Sequence, residues 1–181
     1  MRRTPAFRLR RQLGVSMIEI LVSLTIIAFA LLGLLGLQAR ALSYQKDSFD
    51  RKSAAEMVAQ LSERIRANHL GFTGGNYAYA LDSTDATPAV VPVCATPTAC
   101  TVAEVAARDL SHWGAELRRR IPASTAYLQW NVADPRLLTV SLAWPEPLAG
   151  ATVDPLCTTI ETRLSVIIPA GYRCYETAVF P

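Results

Sequence analysis

Histidine is scarce in this chain of 181 residues, which contains only His69 and His112. Neither has the serine, cysteine or aspartate arrangement that predicts a catalytic triad. The glycine-rich stretch 71–75 is not followed by the Lys-Ser/Thr pair of a phosphate-binding loop. The four cysteines do not have the spacing of a zinc site. We therefore expect no catalytic residues, no metal and no cofactor, and we predict that the chain is not an enzyme.

Two parts of the N-terminal region lack charge of one sign or of both signs. Residues 1–14 contain five arginines and no acid, and residues 20–37 contain no charged side chain. An uncharged, mainly apolar run of this length is about that of a bilayer-spanning helix. Glu19 stands at its N-terminal edge. A carboxylate there is costly unless it is paired, so Glu19 is predicted to have a function.

The basic balance of the chain belongs to its first residues. The formal net charge is +3, from 18 Lys and Arg against 15 Asp and Glu. Without the five N-terminal arginines, 13 basic and 15 acidic residues remain, a net of −2. The run 118–120, Arg-Arg-Arg, suits a helix C-terminus, where the helix dipole favours cations, better than a DNA-binding patch. We expect no nucleic-acid partner.

Three interpretations compete for the N-terminus. In a secretory signal peptide, Ala39-Arg-Ala41 would be the cleavage site, but the apolar run is longer than usual and contains an arginine inside the site. A plain membrane anchor explains the arginines through the positive-inside rule, but it leaves Glu19 unexplained. Cleavage after Gly14 explains both. It frees the amine of Val15, and Glu19 lies four residues on, on the same helix face, where it can neutralise that amine or the amine of a neighbouring copy.

The sequence here resembles the type IV prepilins. The resemblance rests on the basic leader, Gly14-Val-Ser-Met-Ile-Glu19 and the apolar run that follows. The stretch from Ile18 to Gln38 is similar to minor pilins of the PilV type. Val15 departs from the family pattern, in which Phe or Met is commonest. The resemblance implies cleavage after Gly14, N-methylation of Val15 by prepilin peptidase, and docking into a pilus that depends on Glu19.

The resemblance also implies partners and location. These are prepilin peptidase, other minor pilins, the major pilin and a tip adhesin, with roles in pilus assembly and priming, adhesion and twitching motility. Before assembly, the chain is expected in the inner membrane as a single-pass protein with a periplasmic C-terminus, and afterwards on the pilus at the cell surface. A type II secretion pseudopilin and a single-span anchored binding domain are the alternatives.

The predicted organisation has four parts: a leader (1–14), a membrane or filament-core helix (15–37), the amphipathic half of that helix (38–70) and a globular periplasmic domain (71–181). In the amphipathic half, residues 45–53 are polar and predicted to be solvated or to face other subunits. Beyond them an apolar stripe should pack on the globular domain. It consists of Ala54, Met57, Val58, Leu61 and Ile65. Gly71 is the predicted end of the helix.

The globular part is predicted from its changing periodicity. Residues 71–100 have loop composition. Thr101-Val-Ala-Glu104 has the pattern of a capping box that starts a second helix, which ends near Arg120. An antiparallel hairpin with one buried face follows at 128–132 and 138–144, and strands are predicted at 163–168 and 172–179. The fold class is α+β, with a long N-terminal helix on a small antiparallel sheet.

The cysteines suggest disulfides in an oxidising compartment. Four cysteines allow three pairings. Cys94 and Cys100 are close in sequence and bracket Pro97, which favours a local pair, and Cys157 with Cys174 is then the preferred second pair. The resemblance agrees, because pilins often have a disulfide-closed C-terminal region.

Overall fold

A computed structural model describes residues 14–89, 94, 100–131, 133–134, 136–146 and 153–180. Residues 1–13 of the predicted leader, together with Pro97, Val132 and Pro135, lie outside the described residues. The chain divides into two compact units, residues 1–42 and residues 43–181. Each unit is considered by itself below.

One long helix, α1, covers Met17–Ala67 and contributes to both units. Its sequence explains its length, because the segment contains no proline and only two glycines, Gly33 and Gly36. In the second unit the predicted apolar stripe is buried throughout, from Ala54 to Ile65. Two residues of the polar stretch are also buried, Asp50 at 5% and Ser53 at 3% exposure. The expectation that 45–53 is solvated or faces other subunits was therefore wrong at these two positions, which are buried within the second unit.

The long helix ends before Gly71, so the predicted stop was wrong. Asn68 has φ −120° and begins a short second helix, α2, at His69–Thr73. Its side-chain oxygen accepts a hydrogen bond from the N–H of Gly71 at 3.2 Å. Gly71 lies inside α2, where a Cβ would overlap the side-chain amide of Asn68. The glycine is thus required by close packing.

The next elements are β1 at Tyr79–Leu81 and helix α3 at Val102–Arg120. The predicted capping box is confirmed, because the Glu104 N–H donates to the Thr101 hydroxyl at 3.2 Å and the Thr101 N–H donates to the Glu104 carboxylate at 2.8 Å. The predicted apolar face of α3 is buried. It consists of Ala106, Leu110, Trp113 and Leu117.

The sheet has four antiparallel strands in the order β1-β2-β3-β4. Strands β2 (Thr125–Trp130) and β3 (Leu138–Pro145) form the predicted hairpin, and β4 is Tyr172–Val179. Leu128 pairs with Val140 and Ala143 pairs with Cys174. A long helix with a small antiparallel sheet confirms the α+β class. However, β1 falls within the region predicted as loop.

Both faces of the sheet carry buried residues. The larger core joins the α1 stripe and α3 to one face of the sheet, including Leu128, Val140 and Leu142. A smaller cluster lies on the other face around Ala143. It consists of Ala143, Cys157, Ile160, Ile168 and Cys174. The prediction of a hairpin with one buried face was therefore incomplete, because a further element covers part of the second face.

That element is helix α4, Pro155–Leu164, which replaces the start of the strand predicted at 163–168. Asp154 caps it by accepting from the Leu156 N–H at 3.0 Å, and Pro155 occupies its first turn. After Ser165 (φ 54°), Ile168 packs inward on the smaller cluster. The alternation at 163–168 also predicts that Leu164, Val166 and Ile168 face inward. Ile168 is buried in the smaller cluster and the other two are partly buried against it, but residues 163–168 do not form the predicted strand. Strand β3 already pairs with β2 and β4, so it has no edge left for residues 163–168.

Candidate assembly site

The predicted processing and assembly residues lie at the start of α1. Gly14 and Val15 precede the helix, and the carbonyl of Ser16 accepts from the N–H groups of Glu19 (3.0 Å) and Ile20 (3.3 Å). Glu19 is exposed in the first turn of the helix. An acid is favoured at this end because the unpaired N–H groups and the helix dipole present positive charge.

The side chains that follow Glu19 are apolar and exposed. Residues 14–42 are all exposed, including Ile20 at 50% and Phe29 at 70%. The helix contains a segment long and apolar enough to cross a membrane, and none of that segment is buried against the residues that the structure describes. Exposure of so much apolar surface to water is unfavourable, so we expect a bilayer or other subunits to cover it.

Two hydroxyls inside the apolar segment are satisfied by the helix itself. Ser23 donates to the carbonyl of Glu19 at 2.7 Å, and Thr25 donates to the carbonyl of Leu21 at 2.8 Å. Such internal bonds allow polar side chains to enter an apolar environment. From sequence alone we assigned no role to either residue. A serine or threonine within a predicted apolar helix would have been the signal, because its hydroxyl can donate to the carbonyl four residues earlier.

Gly33 and Gly36 lie on one face of the same helix, and neither has a side chain to project from that face. Among the residues that the structure describes, a Cβ at either position would meet no atom within 4 Å. Neither glycine is therefore needed for packing against those residues. Small residues in membrane helices allow another helix to approach closely.

In the second unit, a hydrogen-bonded cluster fixes the break after α1. Asp109 on α3 accepts from Tyr77 at 2.8 Å and from Arg64 at 3.1 Å. Asn68 donates to the Tyr77 hydroxyl at 3.3 Å and to the carbonyl of Val102 at 2.8 Å. Burial, reinforced by the hydrogen bond to Asp109, raises the pKa of Tyr77 well above its usual value. The cluster therefore holds α1 and α3 together through neutral and paired groups.

The histidines do not form a site with the other candidate residues. His69 is exposed on α2 beside Phe72, and His112 is half-buried on α3. Within the ranges that the structure describes, no three His, Cys, Asp or Glu side chains are grouped to hold a metal ion.

The three arginines at the end of α3 all have partners within the second unit. Arg118 is 9% exposed and donates to the carbonyls of Asp82 and Ser83. Arg119 and Arg120 both pair with Glu116, at 3.3 and 2.8 Å. The run 118–120 lies in the last turn of α3, and Arg118 joins that turn to the residues after β1.

The cysteines form two disulfides, Cys94–Cys100 and Cys157–Cys174, with Cα–Cα distances of 5.1 and 5.3 Å. These are the two preferred pairs. The second links α4 to β4 within the smaller cluster. It closes the segment that covers the second face of the sheet.

One of the comparisons with known proteins found a match. A family model described as Type IV pilin Tt1218 matches residues 36–111. This match supports a type IV pilin. It begins at Gly36, after the motif around Gly14 and Glu19, so it is independent of that motif. No curated protein and no solved structure matches the chain.

Proposed function

We propose that this chain is a minor pilin of a type IV pilus, of the PilV type. Prepilin peptidase cleaves it after Gly14 and methylates the new amine of Val15. The chain then stays in the inner membrane by its apolar helix, with its C-terminus in the periplasm, until it enters the filament. There it joins other minor pilins in a tip complex that primes assembly, presents an adhesin and supports twitching motility.

One observation carries this proposal. One acid, Glu19, lies in the first turn of a helix whose side chains are all exposed from Met17 to Leu42, while the stripe from Ala54 to Ile65 is buried in the second unit. The same helix therefore has an exposed apolar surface that needs partners and, further along, an apolar stripe that is already buried in the core of the second unit. The family match to a pilin over residues 36–111 supports the same conclusion.

The proposed chemistry of assembly is an ion pair between Glu19 and an N-terminal amine. An unpaired carboxylate or ammonium is costly in an apolar environment, and pairing offsets part of that cost. In the membrane the partner is the chain's own amine, four residues away. In the filament it is the amine of the next subunit, which fixes the axial position of the incoming helix.

The N-terminus of the mature protein tests processing. Mass spectrometry of the chain from sheared filaments is expected to find an N-terminal peptide that begins with methylated Val15. A chain that still begins at Met1, or one that begins at Leu42, contradicts the proposal.

Replacement of the acid tests assembly. Glu19→Ala is expected to be cleaved normally but to fall at least about tenfold in sheared filaments, because the amine of the neighbouring subunit loses its partner. The control is Glu63→Ala, which removes an acid that is 71% exposed on the same helix. Equal recovery of Glu19→Ala and wild type contradicts the mechanism. Crosslinking of the native chain then separates a pilus from a secretion system by the identity of its neighbours.

A further inference from the structure

Two of the cavities in the second unit differ in size and in lining. The larger, of about 450 Å³, is lined by residues that include Phe72 in α2, Trp130 at the end of β2 and Phe180 after β4. The smaller is lined by residues of α1 and of the end of β3, and a water-sized sphere has about 10 Å³ of space in it. The assembly mechanism proposed above uses neither cavity. The polar atoms and the volume of the smaller cavity restrict what it can hold.

Two polar atoms of the residues that line the smaller cavity are buried and have no hydrogen-bond partner among the residues that the structure describes. One is Nε1 of Trp144, a residue that is 1% exposed. The other is Oδ1 of Asp47, whose side chain is 19% exposed. An indole N–H only donates and a carboxylate oxygen only accepts. A buried group of either kind is costly to leave without a partner, so each atom is expected to have one.

The three carboxylates that line this cavity already have cationic partners. The pairs are Asp47–Arg51 at 3.0 Å, Asp50–Lys46 at 2.5 Å and Glu146–Arg173 at 2.5 Å. Each negative charge is therefore compensated within the second unit. In addition, no three acidic, histidine or cysteine side chains within the described part of the chain are placed to hold a metal ion. The cavity thus favours a neutral occupant.

That occupant must be very small, and it must both accept and donate a hydrogen bond. A single water needs roughly 10–15 Å³ of such space, which agrees with the about 10 Å³ of this cavity. A metal or ammonium ion cannot accept from the indole N–H. A halide ion cannot donate to the Asp47 oxygen and would be repelled by the carboxylate. Water is neutral, accepts from the indole and donates to the carboxylate.

We propose that one water molecule is bound in this cavity, where it accepts a hydrogen bond from Trp144 Nε1 and donates one to Asp47 Oδ1. The water joins α1 to the end of β3 at a point before the apolar stripe, whose first residue in the main core is Ala54. It therefore supplies a contact between the helix and the sheet where α1 has no apolar side chain in that core. This inference is independent of the pilin function proposed above.

The indole N–H groups provide the test, because the chain has three tryptophans. Trp113 is as buried as Trp144, and its Nε1 donates to the carbonyl of Met57 at 2.8 Å, so it is the internal control. The full chain with isotope-labelled tryptophan is measured by NMR in detergent micelles, and Trp144→Phe and Trp113→Phe assign the two signals. Cross-peaks between water and each indole proton are recorded as NOEs in the laboratory and rotating frames. A long-lived bound water gives opposite signs in the two experiments, whereas proton exchange gives the same sign.

Wild type is expected to show the bound-water signal at the Trp144 indole and to lack it at the Trp113 indole. Asp47→Leu removes the acceptor and is expected to abolish the signal at Trp144. The matched control is Arg51→Ala, which removes the partner of Asp47 Oδ2 but leaves Oδ1 in place, and it should retain the signal.

A second control concerns two side chains that also line the cavity, Ser43 and Lys46. Their hydroxyl and ammonium protons exchange rapidly with bulk water and can relay its signal to a nearby indole. The double variant Ser43→Ala/Lys46→Gln has neither group, and it is expected to retain the bound-water signal at Trp144.

Three results overturn the proposal. The first is a wild-type chain without a bound-water signal at Trp144, a measurement that needs no variant to fold. The second is a signal that persists in Asp47→Leu, since the carboxylate is then not the second partner. The third is a signal that is lost in Ser43→Ala/Lys46→Gln while the Trp113 resonance stays in place, which assigns it to those side chains. None of these measurements involves Glu19, so the pilin function is tested separately.

Discussion

Trp113 on α3 donates a hydrogen bond from Nε1 to the carbonyl oxygen of Met57 in α1, at 2.8 Å. Both residues are almost fully buried, at 1% and 0% exposure. The indole therefore both fills the main core and binds the backbone of the long helix. This pair fixes how α3 lies on the amphipathic half of α1.

The first prediction concerns this pair. Trp113→Phe removes the hydrogen bond and part of the ring, and is expected to lower the free energy of unfolding by about 2 kcal/mol. Denaturation of the full chain in detergent, followed by circular dichroism, measures the loss. The control is His112→Ala at the neighbouring, half-buried position, for which we expect at most about 0.5–1 kcal/mol. Equal losses for both variants would contradict a special role for the indole.

The second prediction concerns Asn68 and Gly71. Gly71→Ala places a methyl group against the Asn68 amide, which hydrogen bonds prevent from moving away, and we expect a loss of about 2–3 kcal/mol. Asn68→Ala leaves the carbonyl of Val102 without this donor and is expected to cost about 2 kcal/mol. Because Asn68→Ala also removes the clash, the double variant should cost less than the sum by at least about 1 kcal/mol. Additive losses in unfolding free energy would show that the methyl group introduced at position 71 does not meet the Asn68 amide.

The third prediction concerns the disulfides. Chain entropy gives about 3 kcal/mol for a bridge with the 17-residue separation of Cys157–Cys174 and about 2 kcal/mol for the 6-residue separation of Cys94–Cys100. Replacing each pair by alanines should therefore destabilise the chain more in the first case, which also loses buried packing between α4 and β4. Unfolding with and without reductant measures both effects. A larger loss for Cys94 and Cys100 would contradict the expected order.

The fourth prediction concerns pH. The Glu176 carboxylate accepts from Arg163 Nη1 at 2.9 Å and from the Ser141 hydroxyl at 2.7 Å, and chiefly the bond from Arg163 holds its pKa below the usual 4.5. A pKa lowered by folding stabilises the protein above the unfolded value, and this stability is lost as the pH falls through the folded value. The free energy of unfolding of wild type should exceed that of Glu176→Gln by about 1 kcal/mol at pH 7, and this difference should shrink below about pH 4.5.

Unfolding curves at neutral and acidic pH measure this difference. The control is Glu63→Gln, whose side chain is 71% exposed in its pair with Arg66. We expect it to change stability by at most about 0.5 kcal/mol at either pH. A gap between wild type and Glu176→Gln that is the same at both pH values would contradict the linkage.

Several elements could be predicted because a local signal agreed with the final packing. The stripe from Ala54 to Ile65 repeats at the helical period, and the capping box at Thr101 satisfies the first N–H groups of α3 within four residues. The alternation at Leu138–Pro145 has the period of a strand. The helix α4 also had a signal, Asp154 followed by Pro155, which the alternation of Leu164, Val166 and Ile168 concealed.

The candidate functional residues also divide into those that could be selected from sequence and those that could not. Gly14, Val15 and Glu19 could be selected from sequence, because charge, glycine and apolar length coincide there. The cavity lined by Phe72, Trp130 and Phe180 could not, because these residues come from three distant segments. Their side chains become one surface only when α2, the end of β2 and the residue after β4 meet.

By itself the sequence determined the uncovered apolar helix, its single acid, the amphipathic stripe and the second helix, since each depends on residues within a few turns of one another. Tertiary structure decided where α1 ends, that residues 79–81 form a strand and that 155–164 form a helix. At the end of α1 and at 79–81 the local preferences are weak, and at 155–164 the local signal, Asp154 followed by Pro155, competes with the alternation at 164–168. Long-range constraints then select the conformation. Residues 79–81 pair with the edge of β2, a disulfide links α4 to β4, and Asn68, where α1 ends, finds its hydrogen-bond partners.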